Sequence, residues 1–165
     1  MNVSLLIDGA EVKARSGATF ERKDPVTGKV ASVAQAASPE DVNAACDAAA
    51  AAFPAWAEMG PNARRTLLLK AADLLASRSD DFVKLMIEET GATGIWAGFN
   101  VMLAAGMLRE AACMTTQITG EVIPSDKPGS LALAIRQPAG VCVGMAPWNA
   151  PVILCVRAFA MALAC

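Results

Sequence analysis

The fold is decided by the final stretch of the chain, residues 141–165, which reads VCVGMAPWNAPVILCVRAFAMALAC. Its first part, Val141 to Ala146, is a short continuous apolar run, which is typical of a parallel β-strand covered on both faces. Pro147 and Pro151 bracket a sharp turn, and an apolar helix is predicted from there to Cys165 without a Gly, Asn or Pro stop signal. Strand, turn and helix in this order predict the opening of a βαβ unit, so we expect an α/β fold with a Rossmann-like parallel sheet.

The preceding sequence predicts short strands followed by helices. Residues 1–37 hold several short apolar runs and a Pro-Gly turn at 24–28, which together predict a β-meander. Four helices are predicted after it from capping signals at Ser38, Gly60, Ser79 and Gly94, with Gly91 ending the third. The fourth helix is expected to reach about residue 118 and, because it is apolar on all sides, to be buried on all sides.

Composition excludes several function classes. The chain has 165 residues, 55% of them hydrophobic, and a formal charge of −2, which favours one globular domain and gives no basic surface for nucleic acid. It has no histidine, which excludes a Ser-His-Asp triad, a Cys-His pair and a histidine-bearing zinc site within these residues. No metal site is expected. Prolines, Asn149 and Arg157 oppose a membrane span over the apolar final stretch.

The cysteines favour a reducing compartment. They are odd in number, widely spaced, without a CxxC pair and mostly among Ala and Val, so we expect buried free thiols. No secretory signal is recognisable at the N-terminus, and a cytoplasmic protein is therefore expected. The five are Cys46, Cys113, Cys142, Cys155 and Cys165.

The turn at 147–151 is the one segment whose chemistry points to a site. It lacks the GxGxxG motif of ordinary dinucleotide-binding turns. Asn149 stands at the start of a helix, where its amide NH₂ and the positive end of the helix dipole would together stabilise an oxyanion. The alternative is that Asn149 is only a helix N-cap and Trp148 only a core residue.

Several motifs in a fixed order identify a family resemblance. They are Asp24-Pro25-Val26-Thr27-Gly28, Glu88-Glu89-Thr90-Gly91, and Arg136-Gln137-Pro138-Ala139-Gly140-Val141 leading into Pro147-Trp148-Asn149-Ala150-Pro151. With them the chain resembles the N-terminal third of the NAD(P)-dependent aldehyde dehydrogenases. Through residues 96–100 and 108–112 it is most similar to bacterial aromatic-aldehyde dehydrogenases of the salicylaldehyde, benzaldehyde and vanillin kind.

The resemblance implies a cofactor, a substrate class and roles for residues of the turn. The cofactor is NAD or NADP, the substrate an aldehyde, and Asn149 the donor to the oxyanion. Met145, Ala146, Pro147 and Trp148 are expected to line the ribose and nicotinamide side of the cofactor. The family's nucleophilic cysteine, glutamate base and ribose-binding lysine would lie beyond residue 165, so a truncated chain is expected to be inactive alone. The alternative is a non-catalytic small α/β binding or scaffold protein.

Residue spacing predicts an aromatic-ring pocket beside the turn. Ala150, Leu154 and Arg157 share one face of the last helix, and small Ala150 leaves room for a ring. Trp96 and Asn100 share a face of the long apolar helix, so we expect the ring to pack on Trp96 while Asn100 or Arg157 meets a polar ring substituent. The alternative is that Trp96 is a core residue and that Arg157 pairs with a carboxylate across a subunit contact.

These inferences divide the chain into four segments. They are an N-terminal β-meander (1–37), the helical part of the cofactor-binding domain (38–120), a loop with an oligomerisation-type strand (121–138) and the first βα unit of the Rossmann-like domain (139–165). The strand at 131–135 is apolar and would otherwise leave an exposed edge. A homodimer or homotetramer is therefore expected.

Overall fold

The computed structural model describes residues 1–165 and begins with five short strands. They are β1 (Asn2–Val3), β2 (Leu5–Ile7), β3 (Ala10–Val12), β4 (Thr19–Lys23) and β5 (Val30–Gln35). β5 pairs antiparallel with β4 and parallel with β1, whereas β2 and β3 form a separate hairpin. The prediction of a meander was therefore wrong in its pairing, because a meander would join each strand to the next one along the chain.

Five helices follow, and four of them begin at or within one residue of the predicted starts: Ser38 and Gly60 are N-caps as predicted, whereas Arg78 and Thr93, not Ser79 and Gly94, are the N-caps of the next two. They are α1 (Pro39–Glu58), α2 (Pro61–Ser77), α3 (Ser79–Thr90), α4 (Gly94–Met114) and α5 (Pro151–Ala164). Ser38 and Asp41 form a capping box at the start of α1. Gly91 ends α3 in the left-handed conformation, with a φ of 69°.

The hydrophobic core lies where α2, α4 and α5 meet. Many of its residues are alanines, which lets the helices approach closely. Arg64 Nε donates to the carbonyl of Ala164 at 3.2 Å, and Arg65 Nε donates to the carbonyl of Ala112 at 3.2 Å. The carboxyl ends of α4 and α5 therefore both lie at the start of α2. The buried cluster comprises Leu68, Ala72, Ala104, Leu108, Ala111, Ala112, Val156, Ala160 and Ala164.

The last turn of α3 docks on the N-terminal strands. Ser32 on β5 is buried, and its hydroxyl donates to the carboxylate of Glu89. A Cβ atom on Gly91 would lie only 2.8 Å from Cγ of Pro25. Two of the motifs that carry the family resemblance, at 24–28 and 88–91, are thus in direct contact with each other.

Three sequence predictions were wrong about burial or strand formation. Helix α4 is buried along one side only, since Ile95 is 90% exposed and Met102 is 66% exposed. Residues 141–146 form no strand and are exposed, because no other strand lies beside them to supply hydrogen bonds. All five cysteines are free, but all five are exposed rather than buried. Their apolar sequence neighbours do not fix which way a cysteine faces on a helix.

The connection between α4 and α5 carries a small hairpin. Its strands are β6 (Glu121–Ile123) and β7 (Ala132–Ala134), paired antiparallel. The predicted strand at 131–135 is confirmed over its central residues, whereas β6 was expected to be loop. No helix of the structure combines the length and the apolar character that crossing a membrane requires.

Candidate active site

The turn before α5 presents the Asn149 side chain to solvent. Asn149 is exposed, and its amide makes no hydrogen bond within the chain. The N-cap of α5 is Ala150, with φ −139° and ψ 62° and no side-chain cap. Asn149 is therefore not a helix cap, and both of its N–H hydrogens are available to a bound group.

Trp148 does not belong to the core. Its side chain is 69% exposed, beside Met145 at 87%. Residues 145–148 lie outside helix and strand, and their backbone N–H and C=O groups make no hydrogen bond within the chain. This segment therefore offers an apolar surface together with unpaired backbone donors and acceptors.

These features fit one side of a nicotinamide nucleotide. A flat aromatic ring can pack on Met145 and Trp148, and ribose hydroxyls can pair with the unsatisfied backbone groups. Residues 145–148 thus carry the kinds of group that the role implied by the resemblance, lining the nicotinamide and ribose, would require. They contain no cationic side chain and no glycine-rich loop for the pyrophosphate.

Trp96 joins the start of α4 to this turn. Its indole Nε1 donates to the backbone carbonyl of Asn149 at 3.3 Å. Its ring stacks on Phe99, with centroids 5.6 Å apart and planes 24° apart. Trp96 is 42% exposed, so it is not a core residue, and part of it remains accessible.

Asn100 lies behind Trp96 and is fully buried. Its Nδ2 donates to the carbonyl of Trp96 at 3.1 Å, whereas its Oδ1 has no hydrogen-bond partner. A buried amide oxygen without a partner is costly, by about 1–3 kcal/mol. Asn100 therefore supports the backbone of α4 at this point and has no surface open to a ligand.

The predicted face of α5 runs from the interior to the surface. Ala150 is buried, Leu154 is half-buried and Arg157 is exposed. Arg157 makes no ion pair or hydrogen bond with any other residue of the chain. The structure thus joins Trp96 to the turn and Asn100 to Trp96, but it links Arg157 to neither of them by a hydrogen bond.

Two apolar cavities flank α5, and neither was predicted. One, of about 450 Å³, lies between α1, residues 140–144 and α5. A Cβ on Gly144 would lie 2.9 Å from Cβ of Ala158, so glycine lets this segment approach α5 closely. The other, of about 580 Å³, lies between α3 and α5 and is lined in part by Ala146 and Cys155.

The indole bond from Trp96 to Asn149 was not predicted. The two residues are 53 positions apart, and sequence spacing carries no signal for such a contact. The stacked pair of Trp96 and Phe99 had a usable signal, since residues three apart on a helix are neighbours.

The aldehyde dehydrogenase family model matches residues 12–165. A vanillin dehydrogenase of Pseudomonas fluorescens is 61% identical over 165 residues, which are 100% of this chain and 34% of that protein. The crystal structure of a salicylaldehyde dehydrogenase from Pseudomonas putida G7, complexed with salicylaldehyde, is 42% identical with a TM-score of 0.97, covering 100% of this chain and 34% of that one.

A further solved structure was obtained with a cofactor. It is that of PnpE in complex with nicotinamide adenine dinucleotide, at 36% identity and a TM-score of 0.95, covering 99% of this chain and 34% of that one. The present chain thus spans about a third of the length of the relatives that it matches.

Proposed function

Because this chain belongs to the aldehyde dehydrogenase family, we propose that it forms the N-terminal part of an enzyme that oxidises an aromatic aldehyde to its carboxylic acid with NAD or NADP. The observation that carries the proposal is the exposed amide of Asn149 at the start of α5, next to the half-exposed ring of Trp96. Similarity to vanillin and salicylaldehyde dehydrogenases supports an aromatic substrate.

Asn149 would act on the first chemical step. A cysteine thiolate forms a carbon–sulfur bond to the aldehyde carbon, and the π electrons of the C=O bond move to oxygen. The amide N–H of Asn149 donates to this oxyanion, which is a contribution worth about 10² to 10³ in rate. The thiolate and the carboxylate that later activates water would come from the part of the family's length that these 165 residues do not span, since the chain covers 34% of its relatives.

Residues 145–148 would hold the cofactor beside that carbon. When bound, the cofactor would supply a hydride acceptor for the tetrahedral carbon, which would become a thioester of the cysteine. Water then adds to the thioester, the carbon–sulfur bond breaks, and the acid and the thiolate are released. The 145–148 segment would supply an apolar surface to the nicotinamide and backbone partners to the ribose.

The ring of the substrate would pack on the half-exposed ring of Trp96, because Ala150, which was expected to leave room for the ring, is only 7% exposed. Of the two candidates for a polar ring substituent, the structure favours Arg157, which is exposed and unpaired, over Asn100, which is fully buried. A guanidinium has five N–H donors for a ring hydroxyl or methoxy oxygen.

The same proposal includes assembly and location. Leu131 and Ile135, beside β7, are 73% and 70% exposed, and they favour a homodimer or homotetramer built through this hairpin. Light scattering of the purified protein measures this directly, and a monomer would contradict it. Free thiols at all five cysteines favour the cytoplasm.

The test is a spectrophotometric assay of cofactor reduction by the full-length protein. Benzaldehyde, salicylaldehyde and vanillin should react with higher kcat/KM than acetaldehyde, and a preference for acetaldehyde would refute the ring pocket. Asn149→Ala should lower kcat by about 10² to 10³. Asn43→Ala, at an exposed position of α1, is the matched control and should leave kcat unchanged.

The outcomes separate the competing functions. An unchanged kcat in Asn149→Ala would refute the oxyanion role. Absence of cofactor reduction with every aldehyde, in full-length protein, would favour the non-catalytic binding or scaffold alternative.

A further inference from the structure

The segment that carries Asn149 has one hydrogen bond to the rest of the protein. Residues 141–149 are exposed and form neither helix nor strand. Their one hydrogen bond to another element is the bond from Trp96 Nε1 to the carbonyl of Asn149, at 3.3 Å. Trp96 is therefore the one side chain that holds this turn by a hydrogen bond.

We propose that Trp96 is a positioning residue for Asn149, and this inference rests on the oxyanion role proposed above. Fixing the carbonyl of Asn149 restricts rotation of its peptide plane, and thereby the direction in which the side-chain amide leaves Cα. An oxyanion donor contributes only when its N–H lies within about 3 Å of the developing charge. A displacement of about 1 Å can cost as much as 10² in rate.

Trp96 is itself held firmly enough to act as an anchor. Its backbone N–H donates to Oγ1 of Thr93, the N-cap of α4, at 3.3 Å. Its carbonyl accepts from the buried amide of Asn100 at 3.1 Å, and its ring stacks on Phe99. A donor with three fixed neighbours loses little conformational entropy when it pairs with the turn.

One side chain thereby serves two parts of the site. Trp96 is 42% exposed and its indole ring can contact an aromatic substrate, while its N–H donates to the backbone of the oxyanion donor. Removal of the N–H alone should therefore affect every aldehyde, whereas removal of the ring surface should affect aromatic aldehydes only.

The test is Trp96→Phe in the full-length enzyme, since phenylalanine keeps an aromatic ring but has no N–H. We expect kcat to fall by roughly tenfold to 10², with acetaldehyde as well as with benzaldehyde, and KM for acetaldehyde to stay unchanged. In an Asn149→Ala background the same substitution should lower kcat no further, because the donor being positioned is already absent.

Trp56→Phe is the matched control. Trp56 Nε1 donates to the carbonyl of Leu163 at 3.2 Å, which is the same kind of bond at the opposite end of α5. Its loss should leave kcat unchanged. If Trp96→Phe does not yield folded protein, Trp96→Tyr fills more of the indole volume, has no donor at the Nε1 position and provides the same test.

Each outcome bears on a separate statement. An unchanged kcat in Asn149→Ala refutes the oxyanion role, and the positioning role with it. If Asn149→Ala lowers kcat, two results would refute the positioning role alone. One is a Trp96→Phe loss of kcat that is confined to aromatic aldehydes, and the other is a double variant in which the two losses multiply. An equal loss of kcat in Trp56→Phe would show general damage to α5 and would also refute it.

Discussion

Replacing Gly91 by alanine should destabilise the protein by two separate mechanisms. Gly91 has a φ of 69°, and a Cβ in this left-handed region costs about 1–2 kcal/mol. The new Cβ would also lie 2.8 Å from Cγ of Pro25, a ring atom that cannot rotate away. Overpacking of this kind costs about 1–3 kcal/mol, so we expect a total loss of about 2–5 kcal/mol in the free energy of unfolding.

Gly17→Ala separates the two mechanisms. Gly17 has the same φ of 69°, but no atom lies within 4 Å of a Cβ placed there. Its substitution should therefore show the conformational cost alone. Urea denaturation followed by circular dichroism gives both values, and their difference measures the contact with Pro25.

A double substitution completes the cycle. Combining Gly91→Ala with Pro25→Ala removes the clashing ring, so the double variant should be more stable than the sum of the two single losses predicts. Equal losses in Gly91→Ala and Gly17→Ala, together with additive behaviour in the double variant, would refute the docking of α3 on the 24–28 turn.

Three further predictions concern the pocket, the core and acid stability. Trp96→Ala removes the ring surface proposed for the substrate together with the indole N–H, so kcat/KM should fall at least about tenfold further for benzaldehyde than for acetaldehyde. Equal effects on both in the reduction assay would contradict the pocket. Leu108→Ala, at a core residue that is 3% exposed, should lower the free energy of unfolding in urea by about 2–5 kcal/mol. Leu103→Ala, on the outer side of α4 and 39% exposed, should lower it much less, and similar losses would contradict the assigned faces of α4. The backbone N–H of Ser38 donates to the Asp41 carboxylate and holds the pKa of Asp41 below its usual value of 3.8. This hydrogen bond therefore stabilises the fold fully above pH 3.8, and the stabilisation is lost as the pH falls through the depressed pKa. The urea midpoint of Asp41→Asn should accordingly depend less on pH below about 4 than that of the unsubstituted protein, and parallel pH curves for the two proteins would contradict this.

Local signals predicted the helix boundaries well. The start of α1 follows from Ser38 and Pro39, whose effect depends on residues within one turn. The end of α3 follows from Gly91, because glycine adopts the left-handed conformation at little cost. Such signals need no knowledge of the distant chain.

Local signals of this kind could not predict which distant segments pair with each other. The two-residue strand β1 pairs in parallel with β5, although the β2–β3 hairpin and β4 lie between them along the chain. The apolar run at 141–146 has the composition of a buried strand, but a strand needs neighbours to hydrogen-bond with. Apolar composition likewise did not show that Ile95 and Met102 face outward on α4, because the hydrophobicity of a side chain does not determine whether another element of the fold covers it.

The candidate site was predicted in its parts but not in its connections. Sequence motifs identified Asn149 and the segment before it, and helical spacing identified Trp96 and Asn100. The hydrogen bonds from Asn100 to Trp96 and from Trp96 to Asn149 depend on how α4 packs on α5. That packing follows from the small residues of the core cluster, whose contacts with one another could not be predicted from the sequence.

The common direction of α4 and α5 has an electrostatic consequence. Both helices begin beside Asn149, since Thr93 caps one and Ala150 the other, and both end near the arginines at the start of α2. Each helix terminus carries about half an elementary charge, positive at the amino end. Two positive helix ends therefore lie near the turn, and both would stabilise a negative charge formed there. At the other end of the two helices, Arg64 and Arg65 donate to the last carbonyls and offset the negative helix ends.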